Sequence, residues 1–116
     1  MGLFIVNLLK MIIIIHYADQ SQNILTASTW SQAVAYAEGT GKDILQIFNP
    51  PNGELVLNSP SSTTCYQVVC KNTETFSAES YFVFEEDFQS LNTWIESLPN
   101  TEVRNLSKQQ SNYVVI

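Results

Sequence analysis

The sequence has few charged residues, and cations are the scarcest of them. Charged side chains make up 14% of the 116 residues, against about 25% in typical globular domains. Five Lys and Arg stand against eleven Asp and Glu, which gives a net charge of −6. Binding to nucleic acid backbones or to anionic lipid depends on clustered cations. The composition therefore argues against both of these partners.

Cysteine and histidine are almost missing. The chain has two cysteines, Cys65 and Cys70, and one histidine, His16. The two cysteines lie in a segment that predicts a strand, where an odd offset puts their side chains on opposite faces and about 17 Å of backbone separates them. A disulfide needs Cα atoms within about 7 Å, and a zinc site needs more ligands than this chain has in a usual spacing. We therefore expect two free thiols, no metal and no cofactor.

No motif of a catalytic site is present. His16 ends an apolar strand, and no Gly-x-Ser-x-Gly turn accompanies it. The acids Glu85–Asp87 are consecutive at a predicted helix start, so they point in different directions and are expected to be solvated. The glycines in Gly39–Lys42 follow a helix, whose C-terminal end repels anions, whereas a phosphate-binding loop precedes its helix. We expect no catalytic residue and no enzyme activity.

Long hydrophobic runs are also absent. The apolar stretch Leu3–Ile15 is shorter than the about 20 residues of a membrane span. It lacks the basic start and the cleavage site of a signal peptide, so secretion by that route is not expected. Three interpretations of residues 1–10 stay open: an upstream extension before a start at Met11, a first strand or helix packed on the core, or an apolar arm that docks on a partner.

What is present from Met11 onwards is a regular order of strands and helices. The half at residues 11–58 alternates apolar and turn segments in a way that predicts hairpin, helix, hairpin. A capping box at Thr29–Gln32 starts the helix and glycines stop it. The predicted elements are strands at Ile12–Tyr17 and Ile24–Ala27, a helix with the face Trp30, Ala33, Val34 and Ala37, and strands at Asp43–Phe48 and Leu55–Leu57 around the turn Asn49–Gly53.

The half at residues 65–116 repeats that order after a polar linker at residues 59–64 that contains Pro60. Its predicted elements are strands at Tyr66–Lys71 and Ser80–Phe84, a helix with the face Phe88, Leu91, Ile95 and Leu98, and strands at Val103–Leu106 and Tyr113–Ile116 around a turn at residues 107–112. One such half is too small for a stable core, so both should form a single domain at residues 11–116.

The sequence thus predicts an α+β fold, a pseudo-symmetric tandem hairpin–helix–hairpin repeat with a mainly antiparallel sheet and two helices. Helices that alternate with hairpins rather than with single strands favour antiparallel pairing. Two sheets with helices on one side, or one long sheet around both helices, fit this pattern equally.

Exposed aromatic and apolar side chains are the candidates for an interface, because such residues anchor protein partners. Tyr36 lies off the apolar face of the first helix, and Tyr81 alternates with Phe82, so one of that pair is expected at the surface. The remaining candidates belong to the N-terminal segment. They are Leu3, Phe4, Ile5, Val6, Leu8 and Leu9.

Three segments carry a resemblance to a known class. The helix Thr29–Ala37, the strand Ile44–Phe48 and the turn segment Pro51–Val56 resemble small modules of bacteriophage structural and accessory proteins, in which a Trp-led helix precedes a strand and an Asn-Gly hairpin. The resemblance implies a virion component, located in the virion or in the host cytoplasm, and it assigns no functional residue.

These observations together lead to two hypotheses of function. The first is a non-catalytic assembly or interaction protein, a phage capsid decoration, tail or connector component that associates with itself or with other virion proteins. The alternative is a small acidic inhibitor that blocks the cationic site of a host protein. The net charge of −6 suits the alternative, while the scattered positions of the acids do not form the ladder that a nucleic acid mimic needs.

Overall fold

The computed structural model describes residues 10–116, and within them the fold is α+β, with two helices and seven mostly antiparallel strands. The strands are β1 (Met11–Tyr17), β2 (Gln22–Ala27), β3 (Ile44–Phe48), β4 (Gly53–Leu57), β5 (Thr64–Asn72), β6 (Ala78–Phe84) and β7 (Thr101–Val115); the helices are α1 (Trp30–Gly39) and α2 (Phe88–Glu96). The expected class and the antiparallel character are confirmed. Neither helix is long and apolar enough to cross a membrane.

The chain divides into two compact units. The first unit holds the described part of Met1–Pro50 together with Tyr113–Ile116, and the second unit is Pro51–Asn112. The strand β7 therefore supplies residues to both units. The single domain at residues 11–116, with its two repeats and its linker at residues 59–64, stays a prediction.

The first unit is built on the predicted hairpin. β1 and β2 pair antiparallel from Met11↔Ala27 to His16↔Gln22. β3 lies antiparallel on the other side of β1, and the end of β7 follows β2, so the order is β3-β1-β2-β7. The backbone N–H of Ile116 donates to the carbonyl of Thr26 at 3.1 Å, which ties the C-terminal residues to β2.

The second unit contains β4, β5, β6 and most of β7. β5 and β6 form the predicted hairpin, and β7 pairs antiparallel with β5. β4 lies on the outer side of β6, so the order is β7-β5-β6-β4. β4 and β6 run parallel, with Gly53 opposite Ser80 and Leu57 opposite Phe84.

The two predicted closing hairpins do not form. β3 pairs with β1 and β4 pairs with β6, so β3 and β4 do not pair with each other around residues 49–53. The reason lies in the two prolines, because each proline forces the residue before it into an extended conformation. Pro50 and Pro51 therefore keep Asn49 and Pro50 extended, and a turn at residues 51–52 follows before β4 begins at Gly53.

The second predicted turn, at residues 107–112, is part of a continuous strand. β5 pairs with β7 as far as Thr64↔Gln110, so the backbone pairing of the two strands continues into the polar residues. The segment contains neither glycine nor proline. Polar composition alone therefore does not interrupt a strand when a partner strand continues beside it.

Each helix covers one face of its own unit. A capping box starts α1, with the Thr29 side chain accepting from the Gln32 N–H, whereas Asp87 caps α2 by accepting from the Ser90 N–H. The core of the first unit contains Ile13, Ile15, Tyr17, Leu25, Ala27, Ala33 and Ala37. The core of the second unit contains Tyr66, Val68, Cys70, Val83 and Leu91.

Two aromatic residues predicted on the buried helix faces are at the surface. Trp30 is 44% exposed and Phe88 is 54% exposed. Both are the first residue of their helix, and helical side chains point towards the N-terminus. A side chain at that position therefore extends past the start of the helix, while Ala33 and Leu91, one turn further on, are fully buried.

Candidate binding site

The turn that joins β5 to β6 presents the most exposed aromatic side chain of the described residues. Phe76 is 70% exposed, and its backbone has a φ of 63°. A bulky residue with left-handed backbone is uncommon and strained, and such strain is often found at functional positions. Because the Phe76 side chain is exposed, it does not stabilise the turn by packing in a core. Other contacts must therefore hold the turn in place.

Asn72 provides most of these contacts. Its side-chain oxygen accepts from the backbone N–H groups of Glu74 and Thr75, at 2.9 and 3.0 Å. Its carbonyl accepts from the Phe76 N–H at 2.8 Å, and its own N–H donates to Ser77 at 2.9 Å. An asparagine that bonds to backbone groups two and three residues later is a favoured turn former, so a local network holds Phe76 in position.

A second group of contacts fixes the turn from the side. The Thr73 N–H donates to the carbonyl of Asn100 at 2.8 Å, and the Asn100 side chain donates to the Glu74 carboxylate at 2.7 Å. The Lys71 Nζ lies 5.0 Å from the centre of the Phe76 ring. The ring is thus presented to solvent on a turn that is anchored to the loop before β7.

Beside this turn lies an open depression of about 380 Å³. Its lining comes from the start of β4 and from the turn and the start of β6. Because β4 and β6 are parallel, their first residues lie at the same end of the second unit. The lining residues are Asn52, Gly53, Glu54, Ser77, Ala78 and Glu79.

Two carboxylates give the depression its charge. Within residues 10–116 the ion pairs join Lys42 to Asp19 and Arg104 to Glu102, and neither Glu54 nor Glu79 takes part in one. The Tyr81 hydroxyl donates to the Glu79 carboxylate at 3.2 Å. Burial, followed by the charges of Glu79 and Glu54, raises the pKa of Tyr81 to about 12. The depression is therefore a place of negative potential with hydrogen-bond acceptors.

The sequence-based interface residues fall in different places. Tyr81 borders this site, half-buried, with its ring edge-to-face against Trp94 at 5.3 Å. Tyr36 is half-buried against the core of the first unit. The other candidates, Leu3, Phe4, Ile5, Val6, Leu8 and Leu9, lie outside the described residues. The interface assignment of all eight stays a prediction.

Phe76 was not among those candidates, although the sequence contains a signal for it. It follows the polar run Asn72–Thr75, whose composition is typical of a turn, and precedes the strand that the sequence predicts at Ser80–Phe84. An aromatic residue directly after the turn-forming segment Asn-Thr-Glu-Thr is expected at the surface and not in a core. The left-handed backbone of Phe76 decides which way its side chain points. No residue type in the segment indicates this backbone conformation.

The residues considered for chemistry are separated by the fold. The His16 ring packs edge-to-face on Phe48 at 5.5 Å. Glu85 is buried, where its carboxylate accepts from the Ser59 hydroxyl at 3.2 Å, while Asp87 caps α2; the expected solvated acidic turn is thus wrong for Glu85. Lys42, after the helix-ending glycine Gly41, pairs with Asp19 at 3.4 Å.

Both cysteines are free and buried, as expected. Cys70 belongs to the core under α2, and burial raises the pKa of its thiol. Burial also raises the pKa of the Cys65 thiol, to about 12. Within residues 10–116 no group of three or more His, Cys, Asp or Glu side chains is arranged to hold a metal ion.

Comparison of the chain with protein-family models, with curated proteins and with solved structures finds no match.

Proposed function

We propose that this protein is a non-catalytic assembly protein that binds other proteins through the exposed turn of the second unit. The observation that carries the proposal is Phe76, 70% exposed on a turn held by its own hydrogen bonds. Rigid exposed aromatic side chains are favoured anchors of protein interfaces, because little conformational entropy is lost when they are buried.

The proposal extends to the biological setting. The resemblance of Thr29–Ala37, Ile44–Phe48 and Pro51–Val56 to phage modules supports a virion component, such as a capsid decoration, tail or connector protein. Its partners are further copies of itself or other virion proteins, in the virion or the host cytoplasm. A surface rich in Ser, Thr, Asn and Gln, with 14% charged residues, suits close packing between neighbouring subunits.

The same proposal includes a repeat. The orders β3-β1-β2-β7 and β7-β5-β6-β4 match element by element, and the buried Ala33 and Leu91 occupy the same position after their helix caps. We infer that the units derive from one hairpin–helix–strand module, each completed by a strand that follows the other module in the chain. Two related units in one chain suit a protein that bridges neighbours.

The experiment measures association of the full chain by light scattering over a range of concentrations. We expect a defined oligomer, and we expect Phe76→Ser to weaken association by at least about tenfold, as loss of an interface anchor does. Phe88→Ser is the matched control, since it removes another exposed aromatic side chain. Unchanged thermal unfolding of both variants separates lost binding from lost folding.

A wild-type protein that stays monomeric at all concentrations would overturn self-association and favour the second candidate, a small acidic inhibitor that occludes the cationic site of a host protein. The specific observation for that candidate is the pair Glu54 and Glu79, which lies in a depression without a cationic partner among residues 10–116. Equal loss of association in both Phe variants would mean that the turn of Phe76 is not the interface.

A further inference from the structure

The outer edge of β4 has backbone groups that no strand of residues 10–116 uses. β4 is the last strand in the order of the second unit and pairs with β6 on one side. In a parallel pair, alternate residues direct their N–H and C=O groups to the partner, and the others direct theirs to the opposite side. An extended peptide can pair with such an edge, and main-chain hydrogen bonds then supply the affinity.

Proteins usually protect such edges, and the first unit does so. β3 is the outer strand there, and its register with β1 shifts between His16 and Tyr17, which leaves Leu45 without an opposite residue. This bulge interrupts regular pairing. Bulges, prolines and charges on edge strands prevent uncontrolled association with other chains.

β4 carries less of that protection. Its register with β6 is regular from Gly53 to Leu57, and no proline interrupts it. One charged residue, Glu54, lies within it, and the side chain of Leu57 is 39% exposed. The edge is therefore regular and accessible over five residues.

The single charge on β4 lies in the depression described above. Glu54 is opposite Tyr81, so both side chains are on the same face of the pair, and Glu79 is on that face of β6 as well. The two carboxylates thus converge at the end of the edge strand. Charge complementarity calls for a cationic side chain there.

We propose that an extended segment of a partner protein adds to β4 as a fifth strand of the second unit, with a lysine or arginine side chain in the depression between Glu54 and Glu79. The inference rests on the proposed interaction function and names the chemistry of the partner. Phe76, next in the chain to the lining residue Ser77, then borders the bound segment. The strand edge supplies affinity, and the carboxylates supply selectivity for a basic residue.

The test uses the full chain, labelled with ¹⁵N, and the synthetic peptide acetyl-Thr-Val-Lys-Val-Thr-amide. We expect shifts in the amide signals of Gly53–Leu57 and of the depression. The lysine peptide should bind about two- to fivefold more tightly than its norleucine counterpart, which is the size of an exposed ion pair. The same peptide N-methylated at all five residues should not bind, because it lacks the backbone N–H donors that pair with a strand edge.

Matched variants locate the charge effect. Glu54→Gln and Glu79→Gln should each remove the preference for lysine over norleucine. Glu38→Gln makes the same change of charge on α1 in the first unit and should leave the preference unchanged. All three positions keep a side chain of the same size, so folding should be retained.

Three results would overturn the inference. They are no binding at millimolar peptide, shifts that map away from β4, and equal binding of the N-methylated peptide. Equal effects of Glu38→Gln and Glu54→Gln would show that net charge acts, and not the depression. Association of the Phe76→Ser variant is measured by light scattering, independently of peptide binding. The assembly function can therefore stand when this inference fails, and this inference can stand when the assembly function fails.

Discussion

Each unit contains an antiparallel hairpin, and the two hairpins differ at their turns. In the first unit Asp19 lies in the turn between β1 and β2, where Lys42 pairs with it at 3.4 Å and the Ser21 hydroxyl donates to it. In the second unit the turn presents Phe76, and the nearby carboxylates Glu54 and Glu79 lack a cation among residues 10–116. A hairpin can thus end in a turn whose charged groups are paired within the chain, or in a turn beside carboxylates that are not.

The helices of the two units are packed by side chains of different size. α1 buries Ala33 and Ala37, while α2 buries Leu91 and holds Trp94 half-buried. Small residues bury little apolar area, so the first unit depends more on its strands for hydrophobic stabilisation. In the second unit α2 contributes one fully buried leucine to the core, and this difference between the helices can be tested.

The largest effect should come from changing these helix contacts. Leu91→Ala removes a fully buried side chain and should destabilise the protein by about 2–5 kcal/mol. Ala37→Leu overfills the first core and should cost about 1–3 kcal/mol. Urea unfolding followed by Trp94 fluorescence in a Trp30→Phe background measures the second unit, and Trp30 fluorescence in a Trp94→Phe background measures the first. Equal costs would remove the distinction between the helices.

The next effect concerns the strand that completes the first unit. Val114 packs against the first core, while the neighbouring Val115 is 60% exposed. Val114→Ala should destabilise the protein by about 1–2 kcal/mol, and the matched control Val115→Ala should stay within about 0.5 kcal/mol. Thermal unfolding measures both. If the two substitutions cost the same, the C-terminal residues do not complete the first core.

The helix caps should differ in their dependence on pH. Thr29→Ala removes an uncharged cap and should cost about 1 kcal/mol at any pH at which the protein folds. The Ser90 N–H lowers the pKa of Asp87 below its usual 3.8. The stabilisation that the Asp87 charge gives α2 is therefore complete at pH values above 3.8, and it is lost as the pH falls through the lower pKa of the folded state.

Asp87→Ala should therefore lower the melting temperature at pH 7, and the difference from wild type should shrink towards the acid end of the stability range. Thermal unfolding across pH, with Thr29→Ala as the comparison, measures this change. Parallel pH profiles for the two variants would mean that the charge of Asp87 does not stabilise α2.

The smallest effect concerns the reactivity of the two cysteines, which we expect to be low. Both cysteines lie in the second unit, so their reactivity reports on that unit alone. Burial raises the pKa of Cys65 to about 12 and also raises that of Cys70, so little reactive thiolate forms at pH 8. A thiol reagent should label the native protein far more slowly than the unfolded chain. A mass two hydrogens lower without reductant would show a disulfide instead.

Labelling also sharpens the comparison of the units. Leu91→Ala should speed the reaction of Cys70, because both residues belong to the same core. Ala37→Leu acts on the other core and should change labelling less. Mass spectrometry of the labelled cysteines follows both reactions.

Features set by neighbouring residues were predicted well. The capping box Thr29–Gln32, the end of α1 near Gly39 and the hairpins of β1–β2 and β5–β6 are all confirmed. Each depends on a hydrogen bond or a backbone preference within a few residues. The free state of Cys65 and Cys70 follows from strand geometry and is confirmed too.

Features set by distant residues were not predicted. The partners of β3 and β4 and the continuity of β7 depend on strands far away in the chain. The candidate site depends on the same pairing, since Glu54 meets Glu79 through the parallel alignment of β4 with β6. Nothing within ten residues of Glu54 indicates that partner.

The sequence by itself determined the class of the fold, the two helices with the cap of α1, and the two hairpins, because local hydrogen bonds and apolar periodicity act along the chain. The tertiary structure decided which strands close each unit, that Phe76 faces solvent, and that two carboxylates share a depression. These outcomes depend on strand pairing between distant segments. Many pairings satisfy the same local pattern, and the fold selects among them by the backbone hydrogen bonds and buried apolar area of the whole unit.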